Sequence, residues 1–461
     1  MPTIQDIPRA PGGNPLLGHA GPLVRDPLDF VSSLTGHGPL VRMDMGTKNV
    51  VVVCDPALIR QVLLDDRVFD KGGPLFERGR EALGNGLITC PHHDHRRLRR
   101  LSQPAFHPNR MVGYAAVMTE LADDMASGWR DGQVLDVVGE MMALTVEVTV
   151  RTLFTDSLPR ATASQITDDF LVLMTGFFRR MITPPLLNRL PSRGNRDYTR
   201  AIERLRSTVG SIVAARRADE SDHGDLLSAL CGATGPDGSP GRTETELIDE
   251  VLTFLLAGTE TTAATLSWAM HLLSQNQEVE RQVHREVEAV RSGSRLDFSH
   301  LGELETTGNV IKETLRLYPA VWMLTRVTSA DADLDGYVLP EGTIVAFSPY
   351  AIHRRADLYE RAQSFVPDRW RDASVVQDSY LPFSAGARKC MGDRFALTQA
   401  TLALGTVVSR WRLAPVTDEP LRPSVKASLT PRRLRLRVTV RGERPVGRDS
   451  AEGSARESEG E

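Results

Sequence analysis

The sequence predicts a mainly α protein with small β-sheets, organised around one long central helix. Three observations carry this. From about Pro56 to Val290 the apolar spacing is mostly helical. Two short β-rich stretches lie outside that region, each interrupted by turn residues. One segment of about thirty residues without proline is apolar around most of its circumference between Val251 and Leu256, the pattern of a helix buried in a core.

Taken in order, residues 1–20 are rich in Pro and Gly and are expected to form an extended leader over the surface. They lack a basic start followed by an apolar run, so no secretory signal is expected. LVRMDMGTKNVVVVC (40–54) is expected to form a hairpin turning at Gly-Thr-Lys-Asn. The helical region breaks at 74–86, 183–195 and 231–242, where Pro, Gly and polar residues gather. Thr243-x-x-Glu246 is a capping box, opening the long helix that continues through 247–276. GYVLPEGTIVAFSPY (336–350) is expected to be a second hairpin, turning at Pro340-Glu341-Gly342. Residues 21–443 are expected to form a single domain, and the polar tail 444–461 to be disordered.

The chain has 461 residues, 41% hydrophobic and 25% charged, an ordinary globular composition. Its net charge of −4 gives no support for bulk nucleic-acid binding. Four cysteines, Cys54, Cys90, Cys231 and Cys390, are too few for a disulfide framework and show no CxxC spacing. They suit a reducing cytoplasm, and no run of 18 apolar residues suggests a membrane span.

Two segments break local rules. Ala257-Gly258-Thr259-Glu260-Thr261-Thr262 puts a glycine, an acid and three threonines in the middle of a buried helix. Buried polar groups are costly without partners. A kink or a tight helix crossing would explain part of this pattern. LPFSAGARKCMGDRFALTQATLALG (381–405) places Phe383, Gly386, Arg388, Cys390 and Gly392 as Phe-x-x-Gly-x-Arg-x-Cys-x-Gly, followed by a good helix. A cysteine just before a helix N-terminus meets backbone N–H groups and a dipole that favour a thiolate.

This cysteine segment resembles the haem-binding loop of the cytochrome P450 family, the haem-thiolate monooxygenases. Three further motifs follow the family's order: the Ala-Gly-Thr-Glu-Thr-Thr run, Glu313-Thr314-Leu315-Arg316, and Phe365-Val366-Pro367-Asp368-Arg369-Trp370. The resemblance covers roughly residues 20–440 and implies a long helix crossing a haem buried beside the cysteine loop.

It implies roles residue by residue. Cys390 would be the axial iron ligand, Gly386 and Gly392 would bring backbone N–H groups to the sulfur, and Phe383 would exclude water. The propionates of haem b (iron protoporphyrin IX) would be held by Arg388, Arg326, His95 and Arg99; many members carry Trp at the position of His95. Arg96, Arg97 and Arg100 would form a solvated or docking face. Glu313, Arg316 and Arg369 would form a buried charge cluster supporting the loop. Glu260 and Thr261 would be the acid–alcohol pair that delivers protons, and Gly258 would leave room for dioxygen.

An apolar pocket would be lined by Pro74, Leu75, Phe76, Leu87, Phe177 and Phe178. Phe254, Leu255 and Ala257 would come from the central helix. Val321, Trp322, Met323, Leu324, Leu429 and Thr430 would complete it. Other stretches resemble bacterial members that hydroxylate sesquiterpenes, which implies a terpene of secondary metabolism; a polyketide, fatty acid or steroid is the alternative within the family. No flavin or nicotinamide fingerprint is present, so electrons would come from a separate ferredoxin and its reductase. A monomer is expected. Three competing readings exist: a terpene cyclase, from Asp65-Asp66-x-x-x-Asp70; a haem sensor; and a peroxide-driven haem enzyme. The Glu260–Thr261 pair argues against the latter two.

Overall fold

The computed structural model describes residues 2–441 except 16, 47, 156–157, 183–184, 189, 220, 236–240, 373–377 and 418. The side chains of 74–75, 160, 178, 181–182 and 185–186 also lie outside the described part, and with them the expectations for Pro74, Leu75 and Phe178. The tail expected at 444–461 lies outside the described residues as well.

The central helix is Glu244–Gln275. Thr243 and Glu246 exchange hydrogen bonds at its start, so two of its unpaired N–H groups are satisfied as the spacing predicted. It runs through the main core against the helices Val137–Phe154 and Asp393–Arg410. The helix Asp393–Arg410 begins directly after the cysteine loop, with Asp393 in the first turn where the helix dipole favours a carboxylate. The helix Glu305–Leu317 stops where Tyr318 precedes Pro319, because a residue before proline disfavours the helical region.

The main sheet has five strands in the spatial order Leu40–Met45, Lys48–Val53, Ile344–Phe347, Leu324–Thr328 and Phe69–Asp70. The first two form the expected hairpin. The second expected hairpin does not form. Tyr337–Leu339 turns back onto Ala332–Leu334, while Ile344–Phe347 joins the main sheet, parallel to Lys48–Val53 and antiparallel to Leu324–Thr328. Both strands around Pro340-Glu341-Gly342 have the right local pattern, but each finds a better-buried neighbour. In the leader Ile7 and Ala10 are buried, the Ala10 N–H donates to the Arg42 carbonyl and the Arg42 N–H to the Pro8 carbonyl.

Candidate functional site

The cysteine loop is built by short-range bonds. Gly386–Arg388 forms a single 3-10 turn, and the Cys390 N–H bonds the Phe383 carbonyl at 2.9 Å. Gly386 has φ +69°, and a Cβ there would stand 2.0 Å from the Leu63 carbonyl oxygen, so only glycine fits. The Gly392 N–H points at the Cys390 sulfur, yet burial outweighs it and pushes the thiol's pKa up. A helix N-terminus alone therefore does not make this cysteine a thiolate; a nearby metal charge would. Cys390 is enclosed by the fold and still keeps accessible surface.

Cations converge beside it. Arg388 is buried and bonds Asp70 at 2.5 Å. Arg326 is 2% exposed, and burial, then Arg388, brings its pKa down to about 10. Arg99 donates to the Lys389 carbonyl at 2.7 Å. His95 is buried, and desolvation followed by Arg388 holds its pKa near about 3, so it is neutral. The sheet register supplies the geometry: Asp70 on the edge strand faces Val327, next to Arg326.

Sequence reasoning missed Lys71. It is enclosed by protein near Arg326, Arg388 and Cys390, and burial followed by those two arginines lowers its pKa to about 7. It follows an edge strand like any surface lysine; the one available signal is scarcity, since the chain has only five lysines. The Arg388 Nε and the His95 Nδ1 are buried without hydrogen-bond partners among the described residues. Four cations and an unpaired imidazole nitrogen against Asp70 and Asp66 form a cradle in want of anions. This fits a ligand with two carboxylates lying beside a cysteine sulfur, which is the chemistry of haem. The aspartates that suggested a cyclase motif are thereby absorbed: Asp70 pairs with Arg388, and Asp66 faces His92 and Arg96 at 3.8 Å. Among the described residues no His/Cys/Asp/Glu cluster could hold a metal ion.

The arginines expected on an open face divide. Arg97 is tied to Glu246 at the start of the central helix, Arg96 faces Asp66, and Arg100 is exposed.

The central helix carries a second feature. Between Val251 and Met270 only Phe254, Leu256, Ala257, Gly258 and Thr261 are not fully buried. Four of these stand at i, i+3, i+4 and i+7, one face of a helix. The Thr261 hydroxyl donates to the Ala257 carbonyl at 2.7 Å, leaving its oxygen able to accept. A Cβ on Gly258 would stand 3.1 Å from Thr149 Oγ1, so this glycine serves the close crossing of two helices. Glu260 is buried with its carboxyl on Ser428 Oγ at 2.5 Å, and desolvation raises its pKa.

Adjacent carboxylates on the same helix clamp the loop before His92. Asp249 accepts from the Asn85 N–H at 2.8 Å and from Arg206 at 2.6 Å. Glu250 accepts from the Leu87 N–H at 2.8 Å and from Ser102 Oγ at 3.1 Å, with the buried Arg242 close by. Leu87 is held in place by this clamp; Phe76 is buried with Lys71 5.9 Å over its ring.

The other residues expected to line the pocket come from several elements. Trp322 and Met323 pack against the cluster of Phe30, Val31 and Leu34, and the Trp322 indole bonds the Lys426 carbonyl. Leu429 is fully buried, bound by the Trp268 indole. Phe177 lies in the main core, Phe254 packs edge-on against Phe106, and Leu324 packs into the sheet's own cluster. Their sequence signal was apolar character alone, which core and pocket share. Val321 and Thr430 keep partial exposure, and Leu255 is buried.

Glu313 and Arg316 are both fully buried and joined by two bonds of 2.9 Å. Arg369 at 3.1 Å, the Trp370 indole and the Val366 N–H complete the coordination of Glu313. Arg316 also donates to the carbonyls of His353, Ala362 and Ser364. Every charge is paired or hydrogen-bonded, as burial requires.

Comparison with known proteins agrees with this geometry. The family model for cytochrome P450 matches residues 8–438. The chain is 43% identical to pentalenene oxygenase of Streptomyces avermitilis, over 94% of this chain and 97% of that one. It is 43% identical to cyclooctatin synthase of Streptomyces melanosporofaciens, over 93% and 94%. It is 42% identical to cyclooctat-9-en-7-ol 5-monooxygenase of the same organism, over 89% and 90%. The solved haem domain of cytochrome P450DA superposes with a TM-score of 0.84 at 25% identity, covering 95% of this chain and 98% of that chain. Among the described residues no helix is long and apolar enough to cross a membrane. With its cysteine loop, its cation cradle and a match along nearly its whole length, the chain belongs to the cytochrome P450 family of haem-thiolate monooxygenases.

Proposed function

We propose that residues 21–443 form one catalytic domain that binds haem b and hydroxylates a cyclic terpene hydrocarbon, with electrons supplied by a ferredoxin and its reductase. The overall change is R–H + O2 + 2 electrons + 2 protons to R–OH + H2O. When bound, the haem supplies the redox-active iron that activates dioxygen. Cys390 would hold the iron, and Arg388, Arg326, Arg99, Lys71 and His95 would hold the two carboxylates.

The observation that carries the reading is the accessible stripe Phe254–Ala257–Gly258–Thr261 on an otherwise buried helix. It offers apolar surface and one hydroxyl and carries no charge, which suits a hydrocarbon. The terpene-modifying relatives named above support the same class. Thr261 orders the protons on this face, and the buried Glu260 beside it stores one.

The test is coupling, with pentalenene as the probe and NADPH, ferredoxin and ferredoxin reductase supplied. Wild type is expected to form alcohol, and Thr261→Ala to consume NADPH while releasing hydrogen peroxide in its place. Wild-type coupling in Thr261→Ala removes that role for the hydroxyl. Failure of wild type to hydroxylate pentalenene or any other cyclic terpene hydrocarbon removes the substrate class.

A further inference from the structure

We infer that Ser428 orients the carboxyl group of Glu260 and links it to solvent, making the turn between Pro423–Val425 and Leu429–Pro431 the proton entrance of the site. This rests on the proposed reading of Glu260 as a proton donor.

The contact is specific. Ser428 Oγ lies 2.5 Å from Glu260 Oε1, and the two residues are 3% and 8% exposed. Ser428 is the hydrogen-bond partner of the Glu260 carboxyl, and the Lys426 ammonium acts on it from the same turn. The Lys426 ammonium and the Ser428 hydroxyl both favour the ionised carboxyl, while burial, the largest influence, favours the protonated one. The net effect is a raised pKa, so this carboxyl holds a proton more readily than a solvated one.

The turn is pinned from three sides. The Trp268 indole donates to the Leu429 carbonyl and the Leu429 N–H to the Ala320 carbonyl, both at 2.9 Å. The Trp322 indole donates to the Lys426 carbonyl at 2.9 Å. These bonds fix Ser428 against the central helix while Lys426, two residues earlier, is exposed. The path from bulk water to Glu260 is therefore one short turn. A hydroxyl has one proton to give and lone pairs to accept another. As Ser428 passes its proton to Glu260 Oε1, it takes one from water on the Lys426 side, and the hydroxyl is regenerated. Glu260 and Thr261 are consecutive, roughly 100° apart around the helix, so the acid that contacts the turn is the sequence neighbour of the hydroxyl on the accessible stripe.

The experiment compares Ser428→Ala, Ser428→Thr and Glu260→Gln as holoenzymes. Infrared difference spectra identify the carboxylic C=O stretch of Glu260 as the band lost in Glu260→Gln. Ser428→Ala is expected to move that band to higher frequency, because its carbonyl loses a donor, and to slow turnover of pentalenene by about tenfold. Ser428→Thr is expected to restore both, with haem content and unfolding temperature equal to wild type throughout. A band unmoved by Ser428→Ala, or wild-type turnover in Ser428→Ala while Glu260→Gln is slow, overturns the role of Ser428. Wild-type turnover in Glu260→Gln overturns the proton-donor reading itself and this inference with it.

Discussion

His353 Nε2 accepts the backbone N–H of Leu381 at 2.8 Å, while its Nδ1 bonds the carbonyl of Arg316 at 3.2 Å. One buried imidazole thus joins the Glu313–Arg316 cluster to the segment that leads into Cys390. Only the neutral ring, protonated on Nδ1, can make both bonds.

Burial, then Arg316, holds the pKa of His353 down to about 3, against 6.5 as its ordinary value. The unfolded chain therefore binds the extra proton first, so stability falls as pH drops from 6.5 toward 3. His353→Ala is expected to lower stability at neutral pH and to flatten this slope. The measurement is the urea midpoint from pH 7 to 4 in both proteins; parallel slopes would show that His353 does not contribute.

Loss of either partner in the Glu313 cluster strands a buried charge. Glu313→Ala and Arg316→Ala are each expected to cost about 3–5 kcal/mol and to leave little haem-loaded protein. Glu313→Gln, which can still accept from Trp370 or Arg316, is expected to cost less. Thermal unfolding and haem content check this; wild-type values in both alanine variants would contradict the burial of the pair.

The Glu250 clamp predicts a local effect. Glu250→Ala removes the acceptor of the Leu87 N–H and of one Ser102 Oγ bond, a cost of about 1–3 kcal/mol. Hydrogen exchange at residues 85–90 is expected to quicken, and less so in Glu250→Gln. Gly86→Ala should do likewise, since a Cβ there would stand 2.0 Å from Thr253 Oγ1. Exchange unchanged in all three variants would mean that the loop is held elsewhere.

Lys71 predicts opposite signs for the two forms of the protein. In the haem-free chain it sits among like charges, so Lys71→Met is expected to raise the unfolding midpoint. In the holoenzyme the same change removes a charge-assisted bond and should speed haem loss by about tenfold or more. Transfer of haem to excess apomyoglobin measures the second effect. A variant that retains haem as wild type does would exclude Lys71 from the cradle.

What the sequence by itself determined is local. The capping box of Thr243 and Glu246, the strand-turn-strand at 40–54, the cysteine loop ending at a helix and the i,i+3 spacing of Glu313 and Arg316 each depend on residues a few positions apart. Tertiary structure decided what depends on burial. Lys71, Asp70, His353 and Ser428 look like surface residues in the sequence, and each is significant because distant segments enclose it and set its partner. Packing partners, too, are set by the fold: Trp322 joins the cluster of Phe30, Val31 and Leu34, and Leu429 is fully buried. Apolar character says that a side chain leaves water; only the folded chain decides whether it faces a ligand or another side chain.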